Sequence, residues 1–241
     1  MCFTIAIHAT REEIESRFNA RFEEPAQFVP GYYFSAFTFP LVPVITNSDP
    51  DKVRMFRWGL IPSWIKDEMA ADSIRTKTFN AKAETLTEKP SFRNAVKTSR
   101  CMVIAKGFFE WQARDKEKIP YFISLENDQP FSFAGLYDCW VNPGTGEINY
   151  TFSIITTTAN QLLEEIHNTK KRMPVILPTE KEKEWINPEI HLNIALNLLK
   201  PFDDSRMKAH TISKRISMPG TEKNIPEIID YFDYGKDLLN H

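Results

Sequence analysis

The chain opens Met1-Cys2, and removal of Met1, which is usual when a small residue follows, leaves Cys2 with a free α-amine beside its thiol. No other position in a polypeptide sets a primary amine and a thiol on adjacent carbons. Such a pair can act as two nucleophiles on one electrophilic carbon. The same two residues also read as a start codon followed by a small buried side chain, and position 2 alone does not separate these readings.

The segments around this pair must position it. Residues 2–9 alternate, with Phe3, Ile5, Ile7 and Ala9 on one side and Cys2, Thr4, Ala6 and His8 on the other. That pattern predicts a half-buried strand with Cys2 on its less apolar face. Thr10-Arg-Glu-Glu13 is a capping box, and Ile14, Phe18 and Phe22 at spacing four predict a helix to about Phe22. Strands are expected at 42–46, 54–60, 101–111, 120–126, 130–137 and 150–157, with a clear turn at Asn142–Gly146. Thr158 is expected to cap a helix over 159–167, before a strand at 173–177. Thr179–Glu182 reads as a second capping box, Asn187-Pro188 opens a helix to about Leu199, and a last strand lies near 208–213. The tail after about residue 214 is weakly patterned. These elements predict one α+β domain over 1–241, with a strongly curved, barrel-like, mainly antiparallel sheet flanked by helices.

Composition narrows the function classes. Only 8 of 241 residues are Gly, with no GxGxxG or GxxxxGK[ST], so phosphate-cradling nucleotide loops are not expected. The net charge of −2 gives no overall pull toward nucleic acid. Residues 75–114, however, hold nine Lys/Arg against three Glu, which permits a phosphate-binding face. Cys2, Cys101 and Cys139 form neither a disulfide framework nor a zinc pattern, so no metal or cofactor is expected. The start lacks a basic leader, and no apolar run is long enough to span a membrane, which predicts a cytoplasmic protein.

Five segments in order, Met1-Cys2, RWGLIPSW (57–64), NAKAET (80–85), RCMVIAKGFFEW (100–111) and RMPVIL (172–177), together resemble the SRAP family. These are the SOS-response-associated peptidase or abasic-site processing proteins, and the motifs span residues 2–177. The resemblance implies a DNA-repair protein that binds single-stranded DNA and captures abasic sites, its N-terminal cysteine joining the ring-opened sugar aldehyde in a thiazolidine. It also implies lyase and peptidase activities, the latter as self-removal of Met1 or release of the adduct; a monomer, nucleoid-associated when bound to DNA, is expected. The capture chemistry is physically sound at Cys2. An α-amine titrates near 7.7–8.0 against about 10.4 for Lys, so it is roughly several hundred-fold richer in neutral amine at pH 7. The thiol, with an ordinary pKa near 8.5, then closes a five-membered ring on the same carbon.

By the same resemblance, Glu110 of GFFEW is the catalytic glutamate that moves protons, and Asn80 holds the sugar hydroxyl or the carboxylate. His167, ahead of RMPVIL, is the second acid/base. Lys82, Arg93 and Arg172 are the expected phosphate contacts, and Trp64 is expected to stack on a base or wedge the strand. Taken singly these residues read otherwise: Glu110 as an exposed strand-end acid, Asn80 as a turn former, His167 as a helix-terminal His, Trp64 as core. Two departures stand out. Phe3-Thr4 replaces the Gly-Arg common in the family, and four residues rather than one separate His167 from Arg172. Two other function classes fit parts of the sequence: an N-terminal-nucleophile amidotransferase using Cys2, and a non-catalytic single-stranded DNA-binding module using Trp64 and the basic stretch.

Overall fold

The computed structural model describes residues 2–235, so Met1, whose removal the amine chemistry requires, lies outside them. In chain order the first half contains β1 (Thr4–Ile7), α1 (Arg11–Phe18), β2 (Arg21–Phe22), β3 (Gly31–Ser35), β4 (Leu41–Thr46), β5 (Lys52–Trp58), α2 (Glu68–Arg75) and β6 (Asn80–Lys82). Then follow α3 (Ala95–Thr98), β7 (Arg100–Ala105), β8 (Gly107–Arg114), β9 (Glu117–Leu125), β10 (Phe131–Val141) and β11 (Ile148–Thr158). The remainder is α4 (Gln161–Ile166), β12 (Arg172–Pro174), β13 (Ile176–Leu177), α5 (Thr179–Trp185), α6 (Leu192–Asn197) and β14 (Met207–Thr211).

The expected curved sheet closes on itself. Strands run β11-β10-β7-β4-β5, and β5 then pairs in parallel with β11 through Arg57↔Thr151 and Trp58↔Phe152. Closure removes the unpaired edges that an open sheet would expose. A second, antiparallel sheet runs β14-β9-β8-β1-β3. Residues 101–111, expected as one strand, are two: β7 belongs to the barrel and β8 to the second sheet, with Lys106 between them. Gly107 makes the crossing possible, because a Cβ there would lie 2.2 Å from the Phe122 ring.

Several local expectations hold and several change for tertiary reasons. The Thr10 capping box forms, with Glu13 N donating to Thr10 Oγ1 at 3.2 Å and Thr10 N to Glu13 Oε2 at 2.6 Å. Helix α1 ends at Phe18 rather than Phe22, because Asn19 turns left-handed (φ 50°) and Phe22 is buried by pairing with Val53. Asn160, not Thr158, caps α4, accepting from Leu163 N at 2.9 Å while Thr158 stays in β11. The second capping box does not form. Glu182 is instead drawn inward, where Arg17 and Ser132 Oγ (2.7 Å) donate to it. The helix expected from Asn187 is confined to α6, since Asn187 Oδ1 accepts from Glu189 N at 3.0 Å and holds that stretch as a turn. Among the described residues no helix is long and apolar enough to cross a membrane.

The largest correction concerns the first strand. Every residue of β1 is buried, because the strand lies between β3 and β8 with apolar clusters on both faces. Ile5 and Ile7 enter the main core, while Ala6 meets Phe109 and Phe122 in a second cluster. Cys2 is therefore not on a half-exposed face but fully buried with the main core.

Candidate active site

Cys2 is held by a side chain from a distant segment. Strand β6 runs parallel to β11, with Asn80 opposite Ile154, and the indole of Trp58 anchors the preceding residue by donating to Phe79 O at 2.9 Å. So fixed, Asn80 donates its amide N–H to Cys2 O at 2.8 Å. Its Oδ1 is buried and has no partner among the described residues, leaving an acceptor beside the nucleophile.

Glu110 reaches the same place along the second sheet. Strands β1 and β8 pair with Ile5 opposite Phe108 and Ala6 opposite Gly107. Continuing that register by two residues sets Glu110 opposite Phe3, next to Cys2. The carboxyl is 3% exposed, and burial pushes its pKa from 4.5 up to about 7. It is thus not the exposed strand-end acid that the motif alone suggests, and near neutrality both its protonated and its ionised form are within reach. Burial, and then the charge of Glu110, push the Cys2 thiol well above its ordinary value. The sulfur is accordingly a thiol and not a thiolate at rest, and its hydrogen points to Thr4 O at 3.8 Å.

His167 arrives at the C-terminal end of α4. Its Nδ1 lies 2.8 Å from Arg172 O, and a carbonyl only accepts, so Nδ1 carries the proton and Nε2 the lone pair. Nε2 lies 3.9 Å from Glu110 Oε2, beyond direct hydrogen-bond length. Burial lowers the His167 pKa, so the ring is neutral at pH 7. The longer link to Arg172 does not displace the histidine. Residues 168–171 form a turn closed by Lys171 N on His167 O at 2.8 Å, with Lys171 left-handed at φ 47°.

A cleft of about 830 Å³ opens over Glu110 and His167, walled by Phe3, Trp111, Met218 and Pro219. Its volume is in the range of small-molecule and cofactor sites. Among the described residues no His, Cys, Asp or Glu trio is arranged to hold a metal ion.

The expected DNA contacts are more scattered. Trp64 is 49% exposed on the loop after β5, which Ser63 N ties to Asp138 Oδ2 at 2.9 Å, and it is not in the cleft wall. Lys82 is exposed on β6 two residues beyond Asn80, and Arg93 is exposed on the turn before α3. Arg172 is engaged elsewhere: its guanidinium forks onto Glu84 at 2.9 and 3.0 Å and donates to Thr156 O at 2.6 Å. The basic stretch at 75–114 does not form a single face. Arg100 is buried and donates to the carbonyls of Val96, Lys97, Trp185 and Asn187, and Arg75 lies 3.6 Å over the Phe39 ring.

Sequence reasoning missed the lysines that do line the cleft: Lys116, Lys118, Lys170 and Lys214. The signal for Lys116 and Lys118 is the charged run Asp115–Lys118, but nothing local indicates that residues 170 and 214 join them. It also missed Phe37, which is 65% exposed and 5.2 Å from the Phe3 ring.

The Arg172 geometry makes a stability prediction. Arg172→Ala removes a bidentate ion pair and two hydrogen bonds to Thr156, and is expected to destabilise the fold by about 1–3 kcal/mol in denaturant titrations. Arg172→Lys, which cannot reproduce the fork, should recover little of it. A wild-type midpoint in Arg172→Ala would show the contact to be energetically idle.

The sequence model of the SOS response associated peptidase (SRAP) family matches residues 1–219. The chain is 39% identical over 233 residues to the abasic site processing protein YoqW of Bacillus subtilis (strain 168), covering 95% of this chain and 99% of that one. It is 34% identical over 201 residues to the abasic site processing protein HMCES of Xenopus tropicalis, covering 75% of this chain and 58% of that one. An X-ray structure of a protein from Bacteroides thetaiotaomicron, 40% identical, superposes with a TM-score of 0.90 over 96% of this chain and all of that one.

Proposed function

The chain belongs to the SOS response associated peptidase family, and from that premise we propose that it processes abasic sites in DNA by covalent capture on Cys2. The observation that carries the reading is the meeting of a buried Glu110, its pKa raised toward neutrality, with a neutral His167 beside the Asn80-held backbone of Cys2.

The order of bond formation follows from the two pKa directions. With Met1 gone, the α-amine is the only group at residue 2 that is appreciably nucleophilic at pH 7, because the thiol is held protonated. The amine nitrogen attacks the sugar aldehyde carbon to give a carbinolamine. Protonated Glu110 then supplies the proton that lets the hydroxyl leave as water, and an iminium forms. The sulfur adds to that carbon, the C=N pair moves to nitrogen, and the thiol proton passes to the Glu110 carboxylate. Water is the only group lost, and Glu110 ends as it began. His167 Nε2, 3.9 Å from Glu110, suits proton exchange through a substrate oxygen or a water. The open Asn80 Oδ1 can accept from a sugar hydroxyl.

The partner in this reading is single-stranded DNA, where the sugar is accessible without the unstacking that a duplex requires. The protein acts as a monomer in the cytoplasm. A thiolate-first amidotransferase is disfavoured by the same burial that raises the Cys2 thiol. The test is to incubate Met1-free protein with a single-stranded oligonucleotide bearing one abasic site and look for a denaturation-resistant band. Absence of that band from protein shown by intact mass to lack Met1 sinks the reading.

A further inference from the structure

Beyond Glu110 and His167 the cleft continues between two lysine-bearing loops that are clamped together. The β8–β9 hairpin carries Lys116 in its turn and Lys118 at the start of β9, reversing at Asp115 with φ 50°. The 168–171 turn carries Lys170. Asn168 joins the two loops, accepting from Ala113 N at 3.1 Å and donating to Ala113 O at 2.8 Å, and Gln112 Nε2 adds a bond to Glu165 O at 2.8 Å. The lysines are therefore presented by a braced surface and not by independent loops. Glu117, the acidic side chain on that wall other than Glu110, is taken by Lys214 at 2.9 Å. Among the described residues no ion pair engages Lys116, Lys118 or Lys170. Three cations facing one hollow repel one another unless an anion lies between them.

We propose that this lysine-lined arm is the seat for consecutive backbone phosphates of the nucleic-acid strand leaving the captured sugar, with Lys116, Lys118 and Lys170 as the phosphate contacts. The proposal rests on the nucleic-acid partner inferred above and assigns its path. The apolar side chains that share the wall, Phe3 and Trp111 among them, favour a nucleic acid over an acidic peptide. A strand carries both charged phosphates and flat base faces, which suits a wall holding both cations and aromatic rings. Lys170 sits close enough to act on Glu110 and His167, lowering the pKa of both after the larger effect of burial, so the seat begins beside the reacting groups.

The experiment is equilibrium binding of an undamaged single-stranded oligonucleotide by the full chain, followed by fluorescence anisotropy across a salt series. No covalent step enters such a measurement. Each phosphate contact on a single strand contributes about 0.7 to the slope of log K against log salt. The variant Lys116→Gln/Lys118→Gln/Lys170→Gln should therefore lower the slope by about 2, with an unchanged melting temperature. Lys181→Gln/Lys183→Gln on α5 should leave the slope at the wild-type value. An unchanged slope in the triple variant overturns the proposal. So does polyglutamate competing as well as the oligonucleotide for the wild type, which would make the arm an acidic-peptide site. Adduct formation on an abasic strand is read separately. A lowered slope with no adduct in any sample refutes the capture chemistry and leaves the seat standing, while an unchanged slope with normal adduct does the reverse.

Discussion

Cys2→Ala is expected to abolish the denaturation-resistant adduct while retaining an imine that borohydride can trap. Alanine keeps the α-amine once Met1 is removed, so attack on the aldehyde and loss of water still proceed. Without sulfur the ring cannot close, and the imine hydrolyses on denaturation unless it is reduced. Cys2→Ser should behave nearly the same way, since a neutral hydroxyl is a far weaker nucleophile than sulfur. The expected pattern is no band without borohydride and a band with it. A heat-stable adduct from Cys2→Ala without reductant would place the covalent bond elsewhere. Unchanged binding with no trappable species in either protein would make this a binding module.

Glu110→Gln is expected to slow adduct formation by about 10²–10⁴-fold, the usual contribution of a positioned acid/base. The pH profile gives a sharper test. Capture needs a neutral amine, which is lost as pH falls below about 8, and a protonated Glu110, which is lost as pH rises through about 7. The wild-type rate should be bell-shaped with an optimum near neutrality, and Glu110→Gln should lose the alkaline limb while keeping the acid one. The same substitution is expected to move stability in the opposite direction to activity. The folded-state pKa lies above the ordinary 4.5, so the folded protein binds the extra proton between these values and becomes less stable as pH rises through that window. Above pH 7 the penalty is fully developed, at most about 3 kcal/mol for a shift of this size. Glu110→Gln should thus match the wild type below pH 4.5 and exceed it by up to that amount at pH 8 in denaturant titrations. Equal stability at pH 8 would mean that the carboxylate is not strained by its burial.

What was legible in advance divides by range. The Thr10 capping box, the α4 and α5 helices and most of the strands depend on residues within four or five positions of one another, and they appear close to where periodicity sets them. The larger failures lie where a distant partner competes for the same group, beside two local ones at Asn160 and Asn187. Glu182 could have closed a capping box, but Arg17 and Ser132 take it, because a buried carboxylate is stabilised more by a guanidinium than by one backbone N–H. Residues 101–111 carry an unbroken β pattern, and only the close approach of Phe122 to Gly107 shows that the chain changes sheets there.

The candidate site divides along the same line. An amine and a thiol on adjacent carbons at Cys2 are set by covalent order alone, and Asn80, Glu110 and His167 stand out through the ordered motifs around them. Their condition is a tertiary matter. The Glu110 carboxyl titrates near 7, the Cys2 thiol stays protonated and the His167 tautomer is set because each is buried among groups from other strands and helices. Desolvation and pairing depend on what lies within a few ångströms in space, wherever it lies along the chain. For the same reason Arg172, read as a phosphate contact, and Arg100, counted in the basic stretch, are held by Glu84 and by backbone carbonyls. Among the described residues, the cleft-lining cations outside any ion pair are instead Lys116, Lys118 and Lys170, on a hairpin and a turn that one asparagine holds together.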